Sequence, residues 1–351
     1  MKIRTPPIIP EESLSSWIVR SSLLNGCDLL TLSWKIWGKY RALTIDFERN
    51  MSVAHIGKLS EETGRPYSEI DGLLLIHHVQ QHTTELNTSS TIWPWMIPIG
   101  IRYRNRLIGQ PFCPQCFQKG IPHLRREWRM AWATVCTKHY ILLQDRCPEC
   151  RFLYSPTKLT GFEKKMTFCH HCNHDMRENP IEPAFSVIQH AVEQNKLYCF
   201  GHKNDMPTWL LTLNNVICLI RRASLAPNGC ISAMLHDLEL LQLPEPSETG
   251  GTFEWLPIRE RHALLRAAAC VIHQPMSSLI QVAQKNRITK NTLRNTLQRD
   301  FSPVFVELYD RLLVSERASG SKTKHNCPRS EKAVMRKWAR LERKIQRVIA
   351  S

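Results

Sequence analysis

The sequence predicts a mainly α-helical protein with two small modules of the zinc-ribbon or zinc-knuckle kind near its centre. Apolar residues recur at helical spacing on both sides of the centre, and eight Cys and His residues cluster within residues 113–172. The predicted parts are an N-terminal helical, helix-turn-helix-like domain (1–105), a tandem zinc-binding region (106–180), a helical connector (181–250), a C-terminal helix-turn-helix domain (251–316), a linker (317–330) and a basic terminal helix (331–351).

The N-terminal third is predicted to be helical. Residues 11–26 place apolar side chains near one face and end at Gly26, a residue suited to a helix C-terminus. Two further helices, over 51–62 and from Ser68 onward, flank a turn at Gly64. Two short helices joined in this way fit either a helix-turn-helix or a plain helical core.

Residues 91–101 contain two prolines and two tryptophans, which disfavour a regular helix. They are predicted to form an extended connector packed against the cysteine-rich region. Within that region, residues 125–132 interleave arginines with Trp128 and Trp132. Because a metal module is too small to bury a core alone, we expect these tryptophans to pack inside, although stacking on nucleic acid also fits the pattern.

Residues 113–172 contain two blocks with metal-ligand spacing. The first is C-x2-C, nineteen residues and C-x2-H, and the second is C-x2-C, eighteen residues and C-x2-C. Each block supplies the four soft ligands of a tetrahedral zinc ion and leaves no position for water, so the predicted role is folding and not catalysis. The predicted ligands of the two structural Zn²⁺ ions are Cys113, Cys116, Cys136 and His139, then Cys147, Cys150, Cys169 and Cys172.

The cysteines outside these blocks are predicted to be reduced thiols of a cytoplasmic protein. No secretory signal occurs at the N-terminus and no run reaches the roughly 18 apolar residues of a membrane span. The sequence therefore predicts a cytoplasmic protein without a membrane partner, whose thiols stay reduced.

His170, His171 and His174 flank the last cysteine pair, but that pair completes the site without them.

The net charge of +16 is unevenly distributed. Formal charges are −1 for residues 1–100, +8 for 101–175, −4 for 176–255 and +13 for 256–351. Basic segments attract phosphate through counterion release, so the two positive segments indicate nucleic acid or an acidic partner.

The C-terminal half is predicted to contain helices over 209–222, 232–241 and 257–273, followed by a helix-turn-helix over 278–297. A small residue in the first helix, Ala283, an apolar residue in the turn, Ile288, and a capping Thr289 fit that motif. Arg287 departs from it, since this turn position usually holds glycine. A plain helical bundle and a helix-turn-helix used only for protein contact remain open.

The second helix of that motif and the terminal helix carry the predicted nucleic-acid contacts. The terminal helix has an apolar stripe that includes Val334, Trp338 and Leu341, and basic residues cover most of its remaining surface. It fits nucleic-acid binding, docking on a partner, or a solvated end. The candidate nucleic-acid-binding residues are Lys290, Asn291, Arg294, Asn295, Arg336, Lys337, Arg340, Arg343 and Lys344.

No phosphate-binding loop, serine-hydrolase elbow, zinc-protease motif or dinucleotide fingerprint occurs in the sequence. Acidic residues are sparse in the basic segments, where a nuclease would hold its metal. The prediction is a nucleic-acid-binding recruitment protein that is not an enzyme. A zinc-dependent enzyme is the alternative class.

Five short motifs occur together in the first half of the chain: Pro10-Glu11-Glu12-Ser13-Leu14-Ser15-Ser16-Trp17 with Arg20, Phe112-Cys113-Pro114-Gln115-Cys116, Trp128-Arg129, Cys136-Thr137-Lys138-His139 and Cys147-Pro148-Glu149-Cys150. Together they resemble the TniQ/TnsD family of transposition proteins over roughly residues 5–175. The C-terminal half is similar in architecture only.

The resemblance implies a bacterial transposon target-selection factor that recruits a TnsC-like AAA+ regulator and, through it, the transposase. TnsD-like members are usually longer and bind an attachment site in DNA directly. Shorter TniQ members, often dimeric, act with an RNA-guided CRISPR Cascade complex that carries guide RNA and target DNA. The length of this chain favours the Cascade adaptor, and the basic C-terminal third favours some direct DNA contact, so both interpretations and a homodimer stay open.

Overall fold

A computed structural model describes residues 2–39, 43, 46–83, 86, 93–99, 108–160, 165–247, 251–297, 301–314 and parts of 330–342. The chain groups into two compact units. The first consists of Met1–Gln194 with Phe253–His262, and the second of Asn195–Thr252 with Ala263–Ser351. The predicted mainly helical fold class is confirmed.

Short helices and two small hairpins make up the regular structure. Up to Gln194 the elements are α1 (Leu14–Leu24), α2 (Leu29–Trp37), α3 (Val53–Thr63), α4 (Tyr67–Asp71), α5 (Leu75–Gln80), α6 (Pro114–Lys119), antiparallel β1 (Val135–Cys136) and β2 (Ile141–Leu142), and α7 (Val187–Glu193). From Asn195 onward they are antiparallel β3 (Tyr198–Cys199) and β4 (His202–Lys203), α8 (Met206–Leu225), α9 (Cys230–Asp237), α10 (Ile258–Ile272), α11 (Met276–Lys285), α12 (Lys290–Leu297) and α13 (Pro303–Arg311).

Helix α1 begins later than the sequence pattern suggests. Glu11 has a φ of 64°, outside the helical region, and the side chain of Ser13 caps the helix by accepting a hydrogen bond from the amide of Ser16. The helix ends as expected, before Gly26 with a φ of 65°. The Ser13 cap therefore determines where α1 begins, which the spacing of apolar residues did not predict.

The helix predicted from Ser68 was wrong in detail, because the structure has two short helices there. Helix α4 starts at Tyr67, after Pro66, and stops at Asp71, and α5 starts at Leu75. Leu73, Leu74 and Leu75 are all at most 4% exposed. One helix cannot turn three consecutive residues toward one core, so the break allows all three to be buried.

Helix α2 was not anticipated from the sequence. Asp28 caps this helix by accepting a hydrogen bond of 2.7 Å from the amide of Thr31. Its inner face, which includes Leu32 and Ile36, is buried, whereas Leu30 and Trp34 are exposed. Exposed apolar side chains blurred the periodic pattern that would have identified it.

The connector is not a regular helix in the described residues 93–99, as predicted, but it is not extended throughout, because Trp95 has a φ of 60° and the amide of Met96 donates to the carbonyl of Trp93 at 3.2 Å. Trp93 and Ile97 are buried, and the amide of Ile97 donates to the carbonyl of Arg129 at 2.9 Å. The amide of Ala131 donates to the carbonyl of Trp95 at 2.7 Å, so the connector pairs with the segment between the ligands of the first cysteine block. The remaining positions of the predicted connector lie outside the described residues.

In the second unit, α8 is the central helix and packs against α9, α12 and α13. Helices α8, α9 and α10 confirm the helices predicted from the sequence, with ends that differ by a few residues. Helix α9 stops at Asp237, four residues before the predicted end, because Glu239 adopts a φ of 65°. Such differences are usual, since caps and turn residues fix helix ends more than apolar spacing does.

The predicted helix, turn and helix over residues 278–297 correspond to α11 and α12. Ala283 is fully buried and Ile288 is 3% exposed. Thr289 caps α12 by accepting a hydrogen bond of 3.2 Å from the amide of Thr292. Arg287 has a φ of 53°, the left-handed conformation that this turn position requires and that glycine would adopt without strain. The local features that predict the motif are therefore present despite the unusual residue.

Among the described helices, none is by itself long and apolar enough to cross a membrane. Helices α10 and α11 satisfy the length and composition test only as a pair, and the chain bends by 99° between them. The predicted linker, apart from Ser330, lies outside the described residues. In the described part of the terminal segment, Val334, Trp338 and Leu341 are exposed.

Candidate metal centres

Both predicted ligand sets come together in space. In each set the four ligand atoms lie within 4.8 Å of one another, and no other described group of three or more such side chains does so. In the first set, Nδ1 of His139 lies 3.4, 3.3 and 3.6 Å from the sulfurs of Cys113, Cys116 and Cys136. In the second set, Cys147 and Cys172 are 3.6 Å apart at sulfur, as are Cys150 and Cys169.

These separations fit the edges of a tetrahedron around zinc. With Zn–S of about 2.3 Å and Zn–N of about 2.0 Å, the expected S–S edge is about 3.8 Å and the S–N edge about 3.5 Å. The sulfurs of Cys116 and Cys136 are 3.7 Å apart, close to the first value. A disulfide has an S–S length of about 2.05 Å, and each described cysteine is a free thiol. The donor sets therefore suit a soft divalent ion and not a covalent bridge.

A shared backbone turn aims the ligands at each centre. In three of the four pairs, the residue after the second ligand is left-handed and its amide donates to the carbonyl of the first ligand. These residues are Tyr140 (φ 52°), Arg151 (φ 61°) and Asn173 (φ 64°), with hydrogen bonds of 2.7, 3.1 and 3.1 Å. The remaining pair, Cys113 and Cys116, opens helix α6, which has Pro114 at its start.

The clustered thiols do not ionise alike: hydrogen bonds with Cys113 and Cys116 lower the pKa of Cys136, whereas ionisation of other ligands in the two sets is opposed. Hydrogen bonds with Cys116 and Cys136 raise the pKa of Cys113, and burial raises the pKa of Cys147 to about 12. A bound divalent ion has the opposite effect, because it stabilises the thiolate directly. A metal ion would therefore have to displace the protons of these thiols, so its binding is expected to weaken as the pH is lowered.

The histidines that flank the second set lie outside it. Nε2 of His174 is 2.8 Å from Oδ1 of Asn179, and the His171 ring stacks on Phe152. Neither they nor His170 belong to the four-residue cluster. The prediction that the cysteine pair needs no histidine agrees with this arrangement.

The two clusters are built into the core of the first unit. Cys113, Cys136, Cys147 and Cys169 are fully buried and belong to the same apolar cluster as Trp17 of α1. Trp128 and Trp132 are at most 4% exposed, which confirms that they pack inside. The cysteine-rich modules and N-terminal helices therefore share one core, as a chain with small metal modules requires.

The N-terminal motif has a structural explanation in a buried carboxylate. Glu12 is fully buried and forms an ion pair of 2.6 Å with Arg20. The Ser16 hydroxyl donates to Glu12 at 2.7 Å and accepts from the amide of Leu124 at 2.9 Å. The amide of Ser13 also donates to the carbonyl of Leu124 at 2.9 Å. The motif thus joins the start of α1 to the segment that follows the first cysteine pair.

A second buried ionic cluster was not anticipated from the sequence. Arg129, only 1% exposed, pairs with Asp46 at 2.5 Å and with Glu48. Glu48 also accepts a hydrogen bond of 2.6 Å from the amide of Ser15. Burial raises the pKa of Asp46, although the charge of Arg129 opposes this. Only an arginine beside a buried tryptophan hinted at the cluster, because its partners lie more than 80 residues away in the sequence.

The candidate nucleic-acid contacts divide between described and undescribed residues. On α12, Asn291, Arg294 and Asn295 are exposed and Lys290 is half-buried. Nζ of Lys290 and the guanidinium carbon of Arg294 lie 5.1 and 5.6 Å from the centre of the Tyr309 ring. Arg336 is described and half-buried. The other terminal candidates, Lys337, Arg340, Arg343 and Lys344, lie outside the described residues.

The structure is that of a mainly helical protein with two candidate metal sites. Three cysteines and a histidine form the first site, and four cysteines form the second. Residues 3–143 match the TniQ family, so this part of the chain is similar to TniQ-family proteins. The match is shorter than the expected resemblance over residues 5–175 and ends before Cys147, so it includes the first cluster only. A search of curated proteins finds no match. TniQ-family proteins are non-catalytic transposition factors with a role in target selection.

Proposed function

We propose that this protein selects transposition targets by linking an RNA-guided CRISPR Cascade complex, with its guide RNA and target DNA, to a TnsC-like AAA+ regulator. Two structural zinc ions, one in each Cys/His cluster, hold its first unit together. The observation that carries the proposal is the family match over residues 3–143, in which Glu12 of the N-terminal motif is buried and paired with Arg20. Motifs used for internal packing leave the outer surface free to contact partners.

Structural metal supports the recruitment role over the alternative of a zinc-dependent enzyme. Both clusters supply four protein ligands, whereas a catalytic zinc keeps a position open for water or substrate. The non-catalytic character of the family agrees with this assignment. The division into six predicted parts and the formation of a homodimer belong to the proposal as well.

Co-purification tests the adaptor function. The full chain is expressed with the Cascade subunits and guide RNA, and the complex is isolated through a tag on Cascade. We expect the protein to be retained stoichiometrically and to be required for capture of a TnsC-like ATPase. Omitting the guide RNA is the control for nonspecific adhesion. Absence of both Cascade and ATPase binding, with zinc content intact, would contradict the adaptor.

A second candidate function is direct recognition of an attachment site, as in TnsD-like proteins. The observation in its favour is helix α12, which presents Asn291, Arg294 and Asn295 to solvent after a capped turn. Side chains of these types read base edges in the major groove. Lys290 and the terminal basic residues, Arg336, Lys337, Arg340, Arg343 and Lys344, are proposed to contact phosphates.

Substitution on α12 distinguishes the two candidates. If α12 reads DNA, Arg294→Gln is expected to weaken binding to the preferred duplex about tenfold, which corresponds to about 1.4 kcal/mol. Fluorescence anisotropy at several salt concentrations measures this. Lys285→Gln is the matched control, because Lys285 is an exposed cation on α11 paired with Asp237 and its substitution removes the same charge. Equal losses in both variants, or binding without sequence preference, would leave only the adaptor.

A further inference from the structure

An exposed aromatic stack lies on the second metal cluster. The Phe152 and His171 ring centres are 3.7 Å apart and the ring planes are inclined by only 10°. Phe152 is 49% exposed, and His171 is exposed as well. Each ring covers one face of the other, and the exposed part of the pair is open to a further planar group.

The metal cluster fixes the position of this stack. Phe152 follows the ligand Cys150 by two residues, and its carbonyl accepts a hydrogen bond of 2.9 Å from the amide of Cys147. His171 lies between the ligands Cys169 and Cys172, and its amide donates to the Cys169 sulfur at 3.5 Å. One ring therefore comes from each cysteine pair, so the stack forms when the four ligands are assembled.

Charge around the stack is mixed. Arg151 and Lys158 are exposed cations. Lys158 is close enough to His170 to interact with it electrostatically, and the ring centres of His170 and Phe152 are 6.4 Å apart. Two negatively charged groups oppose these cations. Glu149 is exposed, and four thiolates around one zinc ion would carry a net charge of −2. Attraction to phosphate alone is consequently weak here, and ring faces are the stronger recognition element.

We propose that the Phe152–His171 stack binds unpaired nucleobases of a single strand, with Arg151 and Lys158 contacting the adjoining phosphates. Every base has a π-face, so an exposed pair of stacked rings can be extended by a base without regard to its identity. A base pair inside a duplex has no free face to offer. The site therefore takes single-stranded DNA or RNA, and it is separate from the duplex contacts proposed for α12.

An abasic strand separates stacking from charge without altering the protein. The full zinc-loaded chain is titrated with a twelve-nucleotide single strand and with the same strand carrying abasic residues at its centre. Because stacking on an aromatic side chain is worth about 1–3 kcal/mol per base, we expect the intact strand to bind about tenfold more tightly. DNA and RNA versions show which sugar the site prefers. Equal affinity for intact and abasic strands would overturn the proposal.

Variants then assign the effect to this stack. Phe152→Leu keeps an apolar cover over the cluster and is expected to abolish the preference for the intact strand, whereas Phe152→Tyr keeps it. Phe185→Leu is the matched control, since Phe185 is 51% exposed and stacks on Tyr140 elsewhere in the same unit. Zinc content confirms that each variant is folded. A preference that survives Phe152→Leu, or that is lost in Phe185→Leu and not in Phe152→Leu, contradicts the assignment. Arg294→Gln should leave the preference unchanged, so failure of α12 to bind duplex would not affect this result.

Discussion

Replacing Cys147 by serine is expected to unfold the first unit of the protein, and removal of metal by a strong chelator is expected to do the same. Cys147 is fully buried in the core shared by the clusters and the N-terminal helices. Structural zinc contributes about 10–16 kcal/mol of apparent binding free energy in small modules, comparable to the entire stability of a typical domain at about 5–15 kcal/mol. Circular dichroism and thermal unfolding, measured together with zinc content, test the expectation.

The control for this substitution is Cys230→Ser. Cys230 is an exposed thiol on α9, outside both clusters, and its replacement should change neither zinc content nor thermal unfolding. Since zinc ligands must be deprotonated, the metal-dependent part of the stability should also decline as the pH is lowered. An apo protein that melts cooperatively at the temperature of the holo protein would show that the clusters are not structural.

Arg129→Met should have the second largest effect. The substitution leaves the carboxylates of Asp46 and Glu48 buried without their cation, and breaking a buried ion pair in this way costs about 3–5 kcal/mol. Arg129→Lys is expected to be only a partial remedy, because one ammonium cannot reproduce the two-sided contact of a guanidinium. Urea unfolding at pH 7 gives the change in the free energy of unfolding.

The loss of stability caused by Arg129→Met should depend on pH. Without the arginine, burial raises the folded-state pKa of Asp46 further above its unfolded value, because the charge that opposes this shift is gone. The protonated carboxyl of Asp46 is tolerated at low pH, and stability is lost as the pH rises through its raised pKa. The difference from wild type should therefore be larger at pH 7 than at pH 5. Arg259→Met is the control, because the pair of Arg259 with Glu182 is solvent-exposed and contributes within about 1 kcal/mol. Equal effects in the two variants would contradict a buried ionic cluster.

The metal clusters were the part of this protein most accessible from sequence. Two ligands at C-x2-C or C-x2-H spacing are fixed locally by one turn, so the spacing itself carries the geometry. The succession of helix α11, turn and helix α12 was also predictable, because the burial of Ala283 and Ile288 and the cap at Thr289 are local features. Arg287, which departs from the usual glycine, also adopts the left-handed turn conformation.

Features that depend on distant partners were not predictable. Nothing local marks Asp46 and Glu48 as partners of Arg129, and the burial of these carboxylates is decided by the tertiary fold. The break between α4 and α5 likewise follows from the burial of three consecutive leucines, which overrides helical spacing. Sequence patterns located the chemistry, and packing determined what surrounds it.

X-ray absorption at the zinc edge tests the central claim most directly. For two ions per chain, one held by three cysteines and a histidine and the other by four cysteines, we expect an average first shell of about 3.5 sulfurs at about 2.3 Å and about 0.5 nitrogen at about 2.0 Å, without a water oxygen. A spectrum that requires an oxygen ligand, or a chain that holds one ion or none when folded, would contradict the two closed structural centres.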